Sequence, residues 1–356
     1  RSGLSARFRL DGVLSPAPEP PREMHHAVVS RIKLLAEIDI AERRRPQDGR
    51  IRVRLEEREL DLRVSTVPTM FGESVVLRLL DRGGRPVTLD ELGMDPATLE
   101  TMAKLANKPH GMLLVTGPTG SGKTTTLYAA LQRRETHAEK IITVEDPIEY
   151  QLAGVTQIPV HQQAGVTFGS ALRSILRQDP DVIMVGEMRD AETAEIAVQA
   201  AMTGHLVFST LHTNDAIAAV PRLLDLGVPE YLVGATLEAV LAQRLVRRIC
   251  DECRTAYRPS PESVALLAGR PIGRAKMMKG AGCARCRSSG YRGRVGLFEL
   301  LVLNEELKDA IVRGVSRLEL RTMAEEHGMR PLRMDGWGKA EAGLTTVEEV
   351  LRVVQQ

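Results

Sequence analysis

Gly117-Pro118-Thr119-Gly120-Ser121-Gly122-Lys123-Thr124 follows the spacing G-x-x-x-x-G-K-[ST], the pattern of a loop that cradles phosphate. Gly117, Gly120 and Gly122 let the backbone turn tightly and aim its N–H groups at anionic oxygens. Lys123 adds a point charge, and the Thr124 hydroxyl, with Thr125 beside it, can ligate Mg²⁺. An apolar run at 112–115 precedes the loop and a helix-like run at 125–132 follows it, the strand–loop–helix order that binding a nucleoside triphosphate requires. Other reactive groups stand where apolar runs end. Residues 141–144 lead into Glu145-Asp146-Pro147-Ile148-Glu149, where Glu145 and Asp146 can hold Mg²⁺ through water or orient a nucleophile, with solvated turn acids as the competing reading. Residues 181–185 end in Gly186-Glu187, which puts Glu187 where a general base for water must stand beside a γ-phosphate. His212, past the end of the run 205–211, can sense that phosphate, and His205 at its start suits a structural role.

Four cysteines form two C-x-x-C pairs, Cys250 with Cys253 and Cys283 with Cys286, with Gly282 and Gly290 supplying turns. Two such knuckles set four thiolates at the corners of a tetrahedron, which suits structural Zn²⁺. Paired disulfides are the competing reading, disfavoured in a chain with no visible export signal. A closed four-thiolate site leaves no open position, so its role is folding rather than catalysis.

These groups need a scaffold. Apolar runs at 112–115, 140–144, 181–185 and 205–211 alternate with helical segments at 170–178 and 191–202, the rhythm of a mostly parallel α/β sheet covered on both faces. In such sheets ligands sit at the carboxyl ends of the strands. Ahead of it, a strand at 6–10 with the turn Asp11-Gly12, a helix at 26–40 and strands at 49–55, 59–66 and 74–79 describe a small α+β domain over 1–85. The polar, Gly-rich stretch DRGGRP at 81–86 reads as a linker. The expected order is then an α/β domain over 86–245, the cysteine module over 246–300 and a helical subdomain over 301–356, whose last helix Thr345 or Thr346 can cap.

Composition narrows the function further. At 356 residues and 43% hydrophobic content the chain can bury more than one core, built from aliphatic residues because aromatics are only 3%. A net charge of +2 gives no field to attract nucleic acid or anionic lipid. No apolar stretch reaches the 18 or so residues that span a bilayer. Because the sequence opens at Arg1, within a strand-like region, the natural protein is expected to begin earlier.

TGPTGSGKT, ITVEDPIEY, LRSILRQDPDVIMVGEMRDAETAEIA and TGHLVFSTLHTNDA resemble, in order, the Walker A, Asp-box, Walker B and His-box segments of bacterial secretion ATPases, the GspE and PilB family of type II secretion and type IV pilus motors. The resemblance implies a RecA-like ATPase domain preceded by a PAS-like domain, binding ATP and Mg²⁺ and assembled as a homo-hexamer. Such a ring is cytoplasmic and peripheral at the inner membrane. It works on a membrane platform protein and docks on the cytoplasmic domain of a second membrane protein of the apparatus.

In the small domain, IDIAERRRPQDGRI and DLRVSTVPTMFGESVVLRLLD carry the likeness, and the family's two phosphate-contacting arginines fall at Arg63 and Arg78. A planar cation from another domain would couple hydrolysis to domain motion, although exposed strand arginines are also common. The charge run Arg43-Arg44-Arg45 suits a solvated helix end. A strand reading like SDIHIEP, usual in the family before RFRLDGVL, is missing. GCARCRSSGYRGRVGLFELL looks like the family's tetracysteine close and return to helix, a module common in secretion and pilus-extension motors and lacking in retraction motors of the PilT type. The sequence therefore points to an ATPase, with type II secretion favoured over pilus extension. A nucleotide- and zinc-dependent binding module without turnover is the reading from another class.

Overall fold

The computed structural model describes residues 4–55, 58–81, 86–268 and 277–355; the expected linker at 81–86 falls mostly outside them. The chain forms two units, Arg1–Pro86 and Val87–Gln356.

In the first unit, β1 (Arg7–Leu10) and β2 (Val13–Pro16) form a hairpin. Its turn holds Asp11 at φ 48 and Gly12 at φ 84, the left-handed pair that a two-residue hairpin needs. Helix α1 (His25–Leu35) is shorter than the expected 26–40. Glu37 adopts φ 57, and its N–H reaches Leu34 O while that of Ile38 reaches Lys33 O, a Schellman closure that ends the helix before Ile40. Strands β3 (Gln47–Leu55), β4 (Arg58–Thr69) and β5 (Gly72–Asp81) make an antiparallel sheet in that order. Ile51 and Val64 bury with Ala36, Ile32 and Ile38 between sheet and helix. Gly49 is required there, because a Cβ would lie 2.4 Å from Ala36 O.

The second unit is built on seven strands. Between α2 (Pro96–Ala106) and α3 (Lys123–Leu131) lies β6 (Gly111–Thr116). There follow β7 (Ile141–Glu145), β8 (Val155–Pro159), α4 (Phe168–Ile175), β9 (Val182–Val185), α5 (Ala191–Met202) and β10 (Leu206–Leu211). After α6 (Ala219–Asp225) and α7 (Glu230–Thr236) comes the long strand β11 (Leu237–Ile249). A small hairpin, β12 (Arg254–Tyr257) with β13 (Met277–Gly280), brackets α8 (Pro261–Ala268). Then β14 (Tyr291–Val302) leads to α9 (Glu305–Val312), α10 (Arg317–Glu326), α11 (Leu332–Glu341) and α12 (Val347–Val354).

The sheet order is β14-β11-β6-β10-β9-β7-β8, and only β14 runs antiparallel. All residues of β6, β7, β9 and β10 are buried, as strands covered on both faces must be. Met112 and Leu114 enter the core on one side, with α4, α5 and the C-terminal helices, while Leu113 and Val115 enter the other, with α2 and α3. The period of two in β6 thus joins two cores.

The expected return to helix at FELL is corrected: Phe298 to Leu301 lie in β14, held by pairing along β11. β11 runs through residue 245 and β14 through residue 300, so both positions expected as boundaries fall inside strands. No helix among the described residues is long and apolar enough to cross a membrane.

Thr346 caps α12, accepting the N–H of Glu349, whereas Thr345 donates to Arg247 O. The Glu349 carboxylate, 1% exposed, ties α12 to β11 through Arg247 at 2.7 Å and also binds Arg352. Burial alone would raise its pKa, but the bonds from Arg247 and Arg352 pull it down to about 2 from 4.5. A depressed carboxylate contributes stability above its unfolded pKa and loses it as pH falls through the folded value, a contribution of about 3 kcal/mol. Between pH 4.5 and about 2 the parent should therefore lose stability more steeply than Glu349→Gln, which is already weakened at pH 7. Parallel denaturant melts across that range check this; equal pH dependence in the two would refute it.

Candidate nucleotide site

The phosphate loop bridges β6 and α3 at the carboxyl edge of the sheet, with Gly117 at φ 150, Gly120 at φ 81 and Gly122 at φ 90. Two of these glycines are also packing requirements. A Cβ on Gly117 would lie 2.4 Å from Gln243 O, and one on Gly122 would lie 2.8 Å from Gln243 Nε2. Gly120 has open space, and Pro118 and Thr119 beside it are exposed, so the crest of the loop is free for a ligand. Gln243 on β11 also accepts from Thr126 Oγ1 at 2.6 Å, fixing α3 to the strand on which the loop rests.

Lys123 is 9% exposed and folds back on the loop, donating to Gly117 O at 2.8 Å and Pro118 O at 3.2 Å. Burial lowers its pKa to about 8, against the pull of Glu187. Ser121 Oγ is buried with no hydrogen-bond partner, an orphaned donor inside a loop of backbone N–H groups, which fits a phosphate oxygen. The α3 N-terminus has no side-chain cap, leaving its first N–H groups for an anion. Thr124 and Thr125 are half-buried at the head of α3.

Glu187, just beyond β9, keeps 12% of its side chain exposed, pairs with Arg189 Nη2 at 2.5 Å and lies 3.3 Å from His212 Nε2. The structure thus brings Lys123, Glu187 and His212 into one electrostatic group. The exposed Asp146 adds to the field that raises the Arg189 pKa, after Glu187 and against burial. Glu145 is placed differently. It is 2% exposed and accepts from Tyr128 Oη, from Thr143 Oγ1 at 2.6 Å and from Gln157 Nε2 at 3.1 Å. Its carboxylate is committed to holding α3 against β7 and β8, and it drives the Tyr128 pKa upward together with burial.

The hydroxyls of Ser209 and Thr210 donate to Val185 O at 2.8 Å and Gly186 O at 2.7 Å, locking β10 to the strand end that carries Glu187. His205 Nδ1 lies 2.9 Å from Ala200 O at the end of α5, a structural contact. Past His212, Thr213 N donates to Thr116 Oγ1 at 2.9 Å, and Arg244 Nη2 donates to Asn214 O at 2.9 Å. Sequence reasoning passed over Tyr128, Arg189, Gln243 and Arg244. The available signal was the polar pair Gln243-Arg244 interrupting the apolar run of β11.

Arg63 and Arg78 lie in the first unit, as Cα partners on β4 and β5.

The four sulfurs of Cys250, Cys253, Cys283 and Cys286 lie within 4.8 Å of one another, with separations of 3.9, 3.8 and 3.7 Å for the pairs 250–283, 253–286 and 283–286. Zinc–thiolate bonds of about 2.3 Å at tetrahedral angles separate sulfurs by about 3.8 Å. All four are free thiols. Burial opposes ionisation of Cys286, yet the N–H groups of Cys283 and Gly290 bring its pKa down to about 6, poised for a metal ligand. Cys250 N also donates to Gly290 O, and Ile249 N to Leu344 O, anchoring the module to the body of the unit.

The profile of the family described as Type II/IV secretion system protein matches residues 2–352. The chain is 50% identical over 349 residues to the Type II secretion system protein HxcR of Pseudomonas aeruginosa, covering 98% of this chain and 71% of that one. It is 51% identical to Type II secretion system protein E of Xanthomonas campestris pv. campestris, covering 99% and 63%. To the Type IV pilus assembly ATPase PilB of Thermus thermophilus it is 46% identical, covering 99% and 40%. Among solved structures, the pilus retraction motor PilT with bound ADP superposes with a TM-score of 0.65 at 27% identity, covering 99% and 91%. The ATPase DotB of Yersinia pseudotuberculosis shares the fold, with a TM-score of 0.72 at 20% identity over 99% and 87%.

Proposed function

The chain belongs to the family of type II/IV secretion system proteins, and from that premise we propose that it is the motor subunit of a type II secretion apparatus. It is a RecA-like ATPase. In our reading the phosphates of ATP lie in the loop 117–124, against the α3 N-terminus and the Ser121 hydroxyl. Lys123 leaves the carbonyls of Gly117 and Pro118 to meet them. Thr124 and Asp146 would hold Mg²⁺, which when bound would neutralise phosphate charge. Glu187 takes the proton of the attacking water, with Arg189 and His212 setting its orientation. Glu145 acts from beneath, as a positioning residue that seats α3 through Tyr128. Arg63 and Arg78 stabilise charge that develops on the transferred phosphoryl group.

Cys250, Cys253, Cys283 and Cys286 would hold Zn²⁺ in a structural role. Assembly as a homo-hexamer, a cytoplasmic position at the inner membrane and work on a platform protein complete the proposal. The observation that carries it is the open phosphate loop itself, with Lys123 folded onto its carbonyls and the partnerless Ser121 hydroxyl buried within it. Deleting the encoding gene in the source cell should halt export of folded proteins and leave surface pili intact. Loss of pili with export unchanged would move the chain to pilus extension, which relatives such as PilB keep open.

A further inference from the structure

Three arginines occupy a single rung of the first unit's sheet. Arg50 on β3 is the Cα partner of Arg63 on β4, and Arg63 is the partner of Arg78 on β5. Residues directly opposite share a face of the sheet, and neighbouring strands lie about 4.8 Å apart. The next rung, Ile51 with Leu62, belongs to the core beneath α1; the arginine rung therefore projects from the other face. Arg50 and Arg78 are exposed and Arg63 is half-buried. Among the described residues no side-chain hydrogen bond or ion pair joins any of the three to a partner.

Like charges set directly opposite destabilise strand pairing, so three in a row without an acid work against the fold. The neighbouring rungs of the same face are different. Arg52 stands across from Asp61, and the rung on the other side holds Asp48, Ser65 and Val76. Cationic charge is concentrated at one rung, too narrow a track for nucleic acid on a chain whose net charge is +2. A compact polyphosphate matches it, because each planar guanidinium can grip phosphate oxygens with two parallel N–H groups.

We propose that the rung is one polyphosphate-binding row, in which Arg50 is a third cation acting with Arg63 and Arg78 on the phosphates of the nucleotide. This rests on the ATPase reading and extends it to a residue on a different strand. Arg50→Gln should lower steady-state phosphate release by about tenfold or more. The nucleotide-free chain should nevertheless melt higher, because cross-strand repulsion is relieved. The upward melting shift given by a non-hydrolysable ATP analogue with Mg²⁺ should shrink. Arg52→Gln, on the same strand and face, should leave turnover and shift unchanged, and Arg50→Lys should recover part of the turnover.

Arg50→Gln turning over like Arg52→Gln would overturn the proposal. So would a loss of turnover accompanied by a lower melting temperature without nucleotide, the mark of a structural residue. Should the parent itself release no phosphate, the ATPase reading fails separately and tripolyphosphate becomes the probe. Stabilisation by tripolyphosphate that Arg50→Gln abolishes would then keep the row, and no stabilisation of the parent would remove it.

Discussion

Lys123→Ala is expected to abolish nucleotide binding, while Glu187→Gln keeps binding and loses turnover by about 10²- to 10⁴-fold. The two outcomes differ because the groups act at different stages. Lys123 is buried against the loop carbonyls; its removal leaves the loop's N–H groups and the Ser121 hydroxyl with no cation among them. Glu187 lies past β9, held by Arg189 and near His212, and the amide that replaces it is close in shape but cannot take a proton. Equilibrium binding of a fluorescent ATP analogue and phosphate release, measured on both variants, separate the stages. Phosphate release by Glu187→Gln at the parental rate would remove Glu187 as the base.

Stripping metal from the four-cysteine cluster should have the other large effect. The sulfur separations match a tetrahedral zinc site, and structural zinc contributes apparent free energies of about 10–16 kcal/mol in small metal-dependent domains at neutral pH. Elemental analysis should find one zinc per chain, and a strong chelator or Cys286→Ser should lower the melting temperature. Proteolysis should open first between β12 and β14, the segment the cysteines enclose, whereas β11 retains its pairing with β6. A chain that carries no metal and melts identically with and without chelator would refute the assignment.

How far these features could be read from sequence depends on how local their causes are. The phosphate loop, the cysteine knuckles and the four buried parallel strands β6, β7, β9 and β10 declare themselves through spacing and apolar runs. β11 does not. Its sequence, LEAVLAQRLVRRI, follows α7 with no Gly or Pro between and is rich in helix-forming residues. What makes it a strand is pairing with β6 on one side and β14 on the other, partners far away in sequence. The same holds for β14, and the seat of the phosphate loop on Gln243 is hidden together with β11. Glu145 illustrates a second limit. Its position at a strand end was legible, but its commitment to Tyr128, Thr143 and Gln157 depends on which way the side chain turns.

β11 passes beneath the phosphate loop at Gln243 and ends one residue short of Cys250. The seven steps from Gln243 to Cys250 span about 23 Å of extended backbone, paired with β14 through Ile249 across a register shift between Arg247 and Ile249. Such a strand is a lever. A rigid tilt of about 3° at the Gln243 end would displace the cysteine end by about 1 Å, with the register shift between Arg247 and Ile249 lying between the two ends.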